Sequence, residues 1–236
     1  MNQATWPQDA PRRSDAALIA SAGAGRLTAL PGRGRSRPGR PVRRGWRRGQ
    51  GLVEFALVIP IFFTLFMGIL EFALVFNAQL AINFATREAA LIGAEAGNAV
   101  GGDCAILRTI EDTISAPADD NQIVEVVIYR SDTVGNPYPV GAPQENVYHR
   151  GGAITCPRPG NPSATVAFTL IGTAGYPEMT RCNTIAGCGA GRPLDHIGVQ
   201  LTYSYLWHTP LATMTGLGGT GYIMVKANAM RMEPIL

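Results

Sequence analysis

The stretch Gly45-Trp-Arg-Arg-Gly-Gln-Gly-Leu-Val-Glu-Phe-Ala-Leu-Val-Ile59 decides how the rest of the chain is read. It places arginines, then a small residue, then the carboxylate of Glu54 at the point where a long apolar helix begins. Leu52 to Phe76 is the segment apolar enough to cross a bilayer, which takes about 20 helical residues, and residues 55–70 carry no charge. Glu54 and Glu71 are separated by roughly 25 Å at the α-helical rise, which sets them near opposite boundaries of a hydrocarbon core about 30 Å thick. A carboxylate at such a boundary is costly and persists for a purpose such as pairing with a partner charge. Pro60 removes one helical donor inside the span and predicts a kink. A cleaved secretory signal has the same charge polarity, but the apolar run is too long and no Ala-x-Ala cut follows it.

Working outward, the net charge of +3 conceals an asymmetry: residues 1–48 hold 11 Arg and 2 acids, and the remainder holds 9 basic and 15 acidic residues. Positive charge massed before a single span keeps that side in the cytoplasm, so the carboxyl-terminal part is expected to face outward. Residues 1–49, rich in Arg, Gly and Pro, are expected to be a disordered cytoplasmic leader. A nucleic-acid-binding arm is disfavoured because no aromatic interleaving accompanies the arginines. Initiation near Val42 would leave a short basic leader. Cys104, Cys156, Cys182 and Cys188 all fall in the outward part, as disulfides require; Cys182 with Cys188 would close a short loop and leave Cys104 with Cys156, but the spacing leaves all three pairings open.

After Asn77 the helix is expected to continue to residue 98 without a lipid face. Ala81, Ala85, Ala89, Gly93 and Gly97 recur at every fourth position, a small-residue stripe that admits close approach of another helix or of the chain's own sheet. Asp103 is expected to cap a helix from Cys104 to Ser115. The period then changes to two, and residues 123–129, 164–171, 197–207 and 222–232 read as strands. In the third, Ile197, Val199, Leu201, Tyr203, Tyr205 and Trp207 share one face. Residues 131–163 and 172–195 read as long irregular connections. The expected fold is α+β: a long transmembrane helix packed on a small antiparallel sheet, with residues 103–236 as the exported domain.

An enzyme needs a converging nucleophile, base and stabilising donors, and the sequence offers no such set, no cofactor motif and no small-molecule site. Gly216, Gly218 and Gly221 satisfy Gly-x-Gly-x-x-Gly, but a strand follows where a dinucleotide site needs a helix; the run reads as a hairpin connection. Cys182, Cys188 and His196 are too few and too widely spaced for zinc, so no metal is expected. His149 and His208 read as loop or strand-end residues.

Arg47-Arg-Gly-Gln-Gly-Leu-Val-Glu-Phe-Ala-Leu-Val-Ile-Pro60, continuing to Gly68-Ile-Leu-Glu-Phe72, resembles the TadE and TadG family of tight-adherence pilus assembly proteins. The resemblance is densest over residues 47–98, and the closing Ala227-Asn-Ala-Met-Arg-Met-Glu-Pro234 is similar to the family's C-terminal end. Gly49 before Gln50, with Glu54 and Phe55 following, looks like the processing site of Flp-type type IV pilins and pseudopilins. The resemblance implies a type IV pilin-like fold, cleavage after Gly49 by a prepilin peptidase in the inner membrane, and pairing of Glu54 with the freed amine of Gln50 in the same or a neighbouring subunit. It also implies other pilins and the tight-adherence machinery as partners. A mature chain beginning with Gln50 rather than Phe makes N-methylation doubtful, and the large outward part suits a minor pilin or pseudopilin. An unprocessed single-pass anchor carrying an extracytoplasmic binding domain is the alternative.

Overall fold

A computed structural model describes residues 47–114, 116–184, 188–189, 192–210, 216 and 221–234. Of the expected leader, residues 1–49, only 47–49 are described, as the start of a helix; residues 1–46 and Gly218 of the glycine run lie outside the described residues. The helix α1 spans Arg47–Ala96 and contains Pro60; at the α-helical rise it is about 75 Å long. Its two halves answer to different solvents. Over residues 52–70 apolar side chains point outward on all sides, with Leu52, Phe55, Leu57, Ile61, Phe62, Leu65 and Ile69 all more than half exposed. This half is long and apolar enough to cross a membrane. From Glu71 onward one stripe is buried, running through Ala78, Ile82, Ala85, Ala89, Ala90 and Ala94.

Helix α2 (Gly102–Thr113) follows, then β1 (Ile123–Ser131), β2 (Glu145–Thr155), β3 (Thr165–Ile171), β4 (His196–Tyr205) and β5 (Tyr222–Arg231). The five strands form one sheet in the order β3-β2-β1-β4-β5, with every neighbouring pair antiparallel. The architecture is therefore α+β. Helix α1 reaches the end of β4 through the Tyr205 hydroxyl donating to Glu71, β5 through Asn228 Nδ2 donating to Thr86 Oγ1 at 2.7 Å, and the segment after β5 through the Glu233 amide donating to the Ala94 carbonyl. Helix α2 reaches β2 and β3, where Glu111 accepts from Arg150 and from the Ala167 amide. Both helices share one core with Ile128, Tyr148, Phe168, Val199, Leu201 and Tyr203. The alternation expected for β4 holds: Ile197, Val199, Leu201, Tyr203 and Tyr205 are buried, and Trp207 lies just beyond the strand.

Three expectations change. Residues 131–163 are not a continuous irregular stretch, because β2 runs through them. Its inward residues include Asn146, Tyr148, Arg150 and Gly152, so no apolar alternation advertises it, and the pairing slips between Arg150 and Ile154. At that slip a side chain on Gly152 would collide with Thr169. Asp103 does not cap α2: Gly101 holds the N-cap position, and the Asp103 carboxylate turns into the core. His149 lies within β2, paired with Glu125 at 3.0 Å, rather than in a loop or at a strand end.

Candidate functional site

The head of α1 is built from residues that make poor helix. Gly49 and Gly51 sit in the first turns of the described helix, and each glycine costs about 1 kcal/mol relative to alanine. A Cβ added at Gly49 or Gly51 would meet nothing within 4 Å among the described residues, and neither has the left-handed backbone that would demand glycine. Among the described residues nothing requires glycine at 49. Glu54 and Phe55 follow on the exposed apolar half of the helix.

Among the described residues of α1, Glu71 is the first that is buried. Its carboxylate accepts the Tyr205 hydroxyl at 2.7 Å, the His208 amide at 3.2 Å and the Thr209 amide at 2.8 Å. The single hydrogen of Tyr205 goes to Glu71, so the 3.1 Å contact with His208 Nδ1 requires that nitrogen to donate. Burial, and then the Glu71 carboxylate, raise the Tyr205 phenol above its ordinary value. The structure places Glu71, expected as a second intramembrane carboxylate, against the end of β4 and the residues just after it, which supply these donors.

The small-residue stripe lies inside the chain's own core. Ala85, Ala89, Gly93 and Gly97 are buried and Ala81 half-buried. A Cβ on Gly93 would lie 2.8 Å from Ile106 Cδ1 of α2 and 3.0 Å from Ile197 Cδ1 of β4, and one on Gly97 would overlap Asn183.

At the opposite end of the domain lies a buried polar cluster. Asp103 pairs with Arg181 and accepts from Asn146 Nδ2 and the Tyr148 hydroxyl, both at 2.7 Å. Glu178 accepts the amides of Gly101 and Asp103. Asp195 accepts from Arg192, from Tyr176 and from the Cys182 amide. Burial, and then these carboxylates, push the phenols of Tyr148 and Tyr176 upward. The disulfides join Cys104 to Cys156 and Cys182 to Cys188. The 172–184 stretch and its continuation from 192 are therefore fastened by ion pairs and a disulfide. A groove of about 770 Å³ beside this cluster is lined by Leu107, Ile154, Leu170 and Met179 together with Asp103 and Glu178. Both carboxylates are already engaged by donors of the fold. Among the described residues no group of three His, Cys, Asp or Glu is arranged to hold a metal; Cys182 and Cys188 bond to each other.

Residues 49–91 match the family model of TadE-like proteins. The matched segment opens at Gly49, includes Glu54 and Glu71, and stops within the docked half of α1; the sheet lies beyond it. No curated protein and no solved structure matches the chain. Sequence reasoning singled out the residues of the TadE-like segment. It missed Arg181, Asn146 and Asp195 and read Tyr205 only as a strand-face residue, because their partners are spread over the chain and become neighbours only in space.

Proposed function

We propose that this chain is a TadE-like minor pilin or pseudopilin, a single-pass structural subunit for assembly of an Flp-type tight-adherence pilus. The TadE-like segment and the apolar helix support a membrane protein of the Tad pilus system. The observation that carries the finer reading is Gly49: it is exposed at the head of α1, where none of the described residues requires glycine, while a prepilin peptidase requires a small residue before its cut. Three segments then follow: a leader, residues 1–49, that is removed; a helix, residues 50–98; and an exported domain, residues 103–236. The arginines hold the leader in the cytoplasm and the domain on the far side of the inner membrane. Cleavage frees the amine of Gln50 one helical turn before Glu54. In a medium of low dielectric, an ammonium partner for this carboxylate offsets a desolvation cost of several kcal/mol and favours assembly.

N-terminal sequencing of the protein from native membranes, with and without active prepilin peptidase, tests this. A terminus at Gln50 that depends on the peptidase is expected. Gly49→Leu should remain full length, and Glu54→Ala should be cut yet absent from assembled pilus fractions; normal processing of Gly49→Leu would sink the reading. The burial of the small-residue stripe favours a second reading, an unprocessed anchor presenting a binding domain, because those residues are spent on the chain's own core. The size of the mature chain separates the two.

A further inference from the structure

The geometry points to a membrane-seating rim on the domain, and this inference rests on reading α1 as a bilayer span. Residues 52–70 precede Glu71, the first buried residue among those described in the helix, and at the α-helical rise they cover about 28 Å. That nearly equals the hydrocarbon thickness of about 30 Å, so no linker remains between bilayer and domain. Whatever surrounds Glu71 is held at headgroup depth. What surrounds it is the end of β4 and the loop after it, since its donors are Tyr205, His208 and Thr209.

The same end of the sheet carries exposed apolar side chains. Leu206 is 52% exposed, Tyr222 48%, Ile223 52% and Val225 51%, and the register sets Tyr222 opposite Tyr205 and Ile223 opposite Ser204. Trp207 packs edge-on against Tyr205. From His196 to Val225 the sequence contains no Asp, Glu, Lys or Arg. Besides Glu71, the acids Asp119 and Asp120 lie by Tyr203, whose hydroxyl accepts the Asp119 amide, in a segment whose Gln122 accepts the Leu206 amide; their carboxylates are engaged by Asn121 and Arg150. Charge gathers instead at the opposite end, where Arg130, Asp132, Arg192, Asp195 and Arg231 surround one cleft. An uncharged rim with Trp and Tyr suits the boundary between headgroups and acyl chains, where amphipathic rings concentrate. We propose that Leu206, Trp207, Tyr222 and Ile223 rest in that boundary of the bilayer that α1 crosses. Seated there, the rim fixes the height of the domain and shields the Glu71 donors from lipid and water alike.

Tryptophan fluorescence in vesicles tests this on the full chain. In a background of Trp6→Phe, Trp46→Phe and Trp207→Phe, three single-tryptophan variants are reconstituted in phosphatidylcholine brominated near the top of the acyl chains. Ile223→Trp reports the rim, Phe62→Trp the middle of the span, and Met179→Trp the far end. Ile223→Trp is expected to lose about half its emission, as for a side chain seated ~5–10 Å into the interface, and Met179→Trp to lose none. Tyr222→Trp, an aromatic exchange, repeats the measurement with the least disturbance of the fold. If Phe62→Trp is quenched and both rim variants behave like Met179→Trp, the rim proposal is overturned and the span stands. If Phe62→Trp also escapes quenching, the span reading falls and takes the rim with it.

Discussion

Two buried carboxylates show how single residues hold this chain together. Asp103 pairs with Arg181, whose side chain is fully enclosed, and removal of one partner leaves the other charged in a medium that solvates it poorly. Asp103→Ala is therefore expected to cost about 3–5 kcal/mol, read as a drop in the chemical unfolding midpoint. Arg158→Ala, which breaks the largely exposed pair with Asp112, should cost no more than about 1 kcal/mol; equal losses would contradict the distinction. Glu71 follows the same logic with neutral donors. Glu71→Ala abandons two backbone amides and a phenol, a loss of about 3 kcal/mol, whereas Glu71→Gln retains one acceptor and should lose less. Both carboxylates stand out in the sequence as charged residues bordering apolar runs. Their partners do not, because Arg181 lies 78 residues beyond Asp103 and Tyr205 lies 134 beyond Glu71.

Among the elements, legibility followed apolar contrast. Helix α1 and strand β4 were readable because their buried positions are apolar at periods of about 3.6 and 2. Strand β2 was not, since it turns Asn146 and Arg150 toward the helices and spends those inward positions on hydrogen bonds and ion pairs. The same elements are stapled covalently, and the two disulfides should differ in weight. Cys104–Cys156 ties α2 to the end of β2 across a sequence separation of 52, and Cys182–Cys188 closes a separation of 6. Chain-entropy estimates give about 4 kcal/mol for the first and about 2 for the second. Replacing each pair by serine and comparing unfolding midpoints should show the larger loss for the first pair, and the reverse order would mean that strain or residual structure dominates. Close approach supplies a further check. Gly93→Val pushes into Ile106 and Ile197, and overpacking of this kind costs about 1–3 kcal/mol.

On the scale of the whole molecule, buried phenols at opposite ends of one core make stability depend on alkaline pH. Tyr148 and Tyr176 line the polar cluster and Tyr205 the Glu71 end, and each is raised above the ordinary value of 10.0 by burial and a neighbouring carboxylate. The folded chain keeps protons that the unfolded chain sheds once pH passes 10. Their contribution is thus fully present below pH 10 and is lost as pH rises toward the folded values. For the more deeply buried Tyr148 and Tyr176 the slope is at most about 1.4 kcal/mol per pH unit each. Guanidinium unfolding midpoints at neutral pH and at steps above pH 10 should show a plateau followed by a fall. Tyr148→Phe should lower the plateau, because Asp103 loses a donor, and flatten the fall, because one titrating group is gone. A variant with a lowered plateau and an unchanged fall would show that Tyr148 is not held protonated by its surroundings.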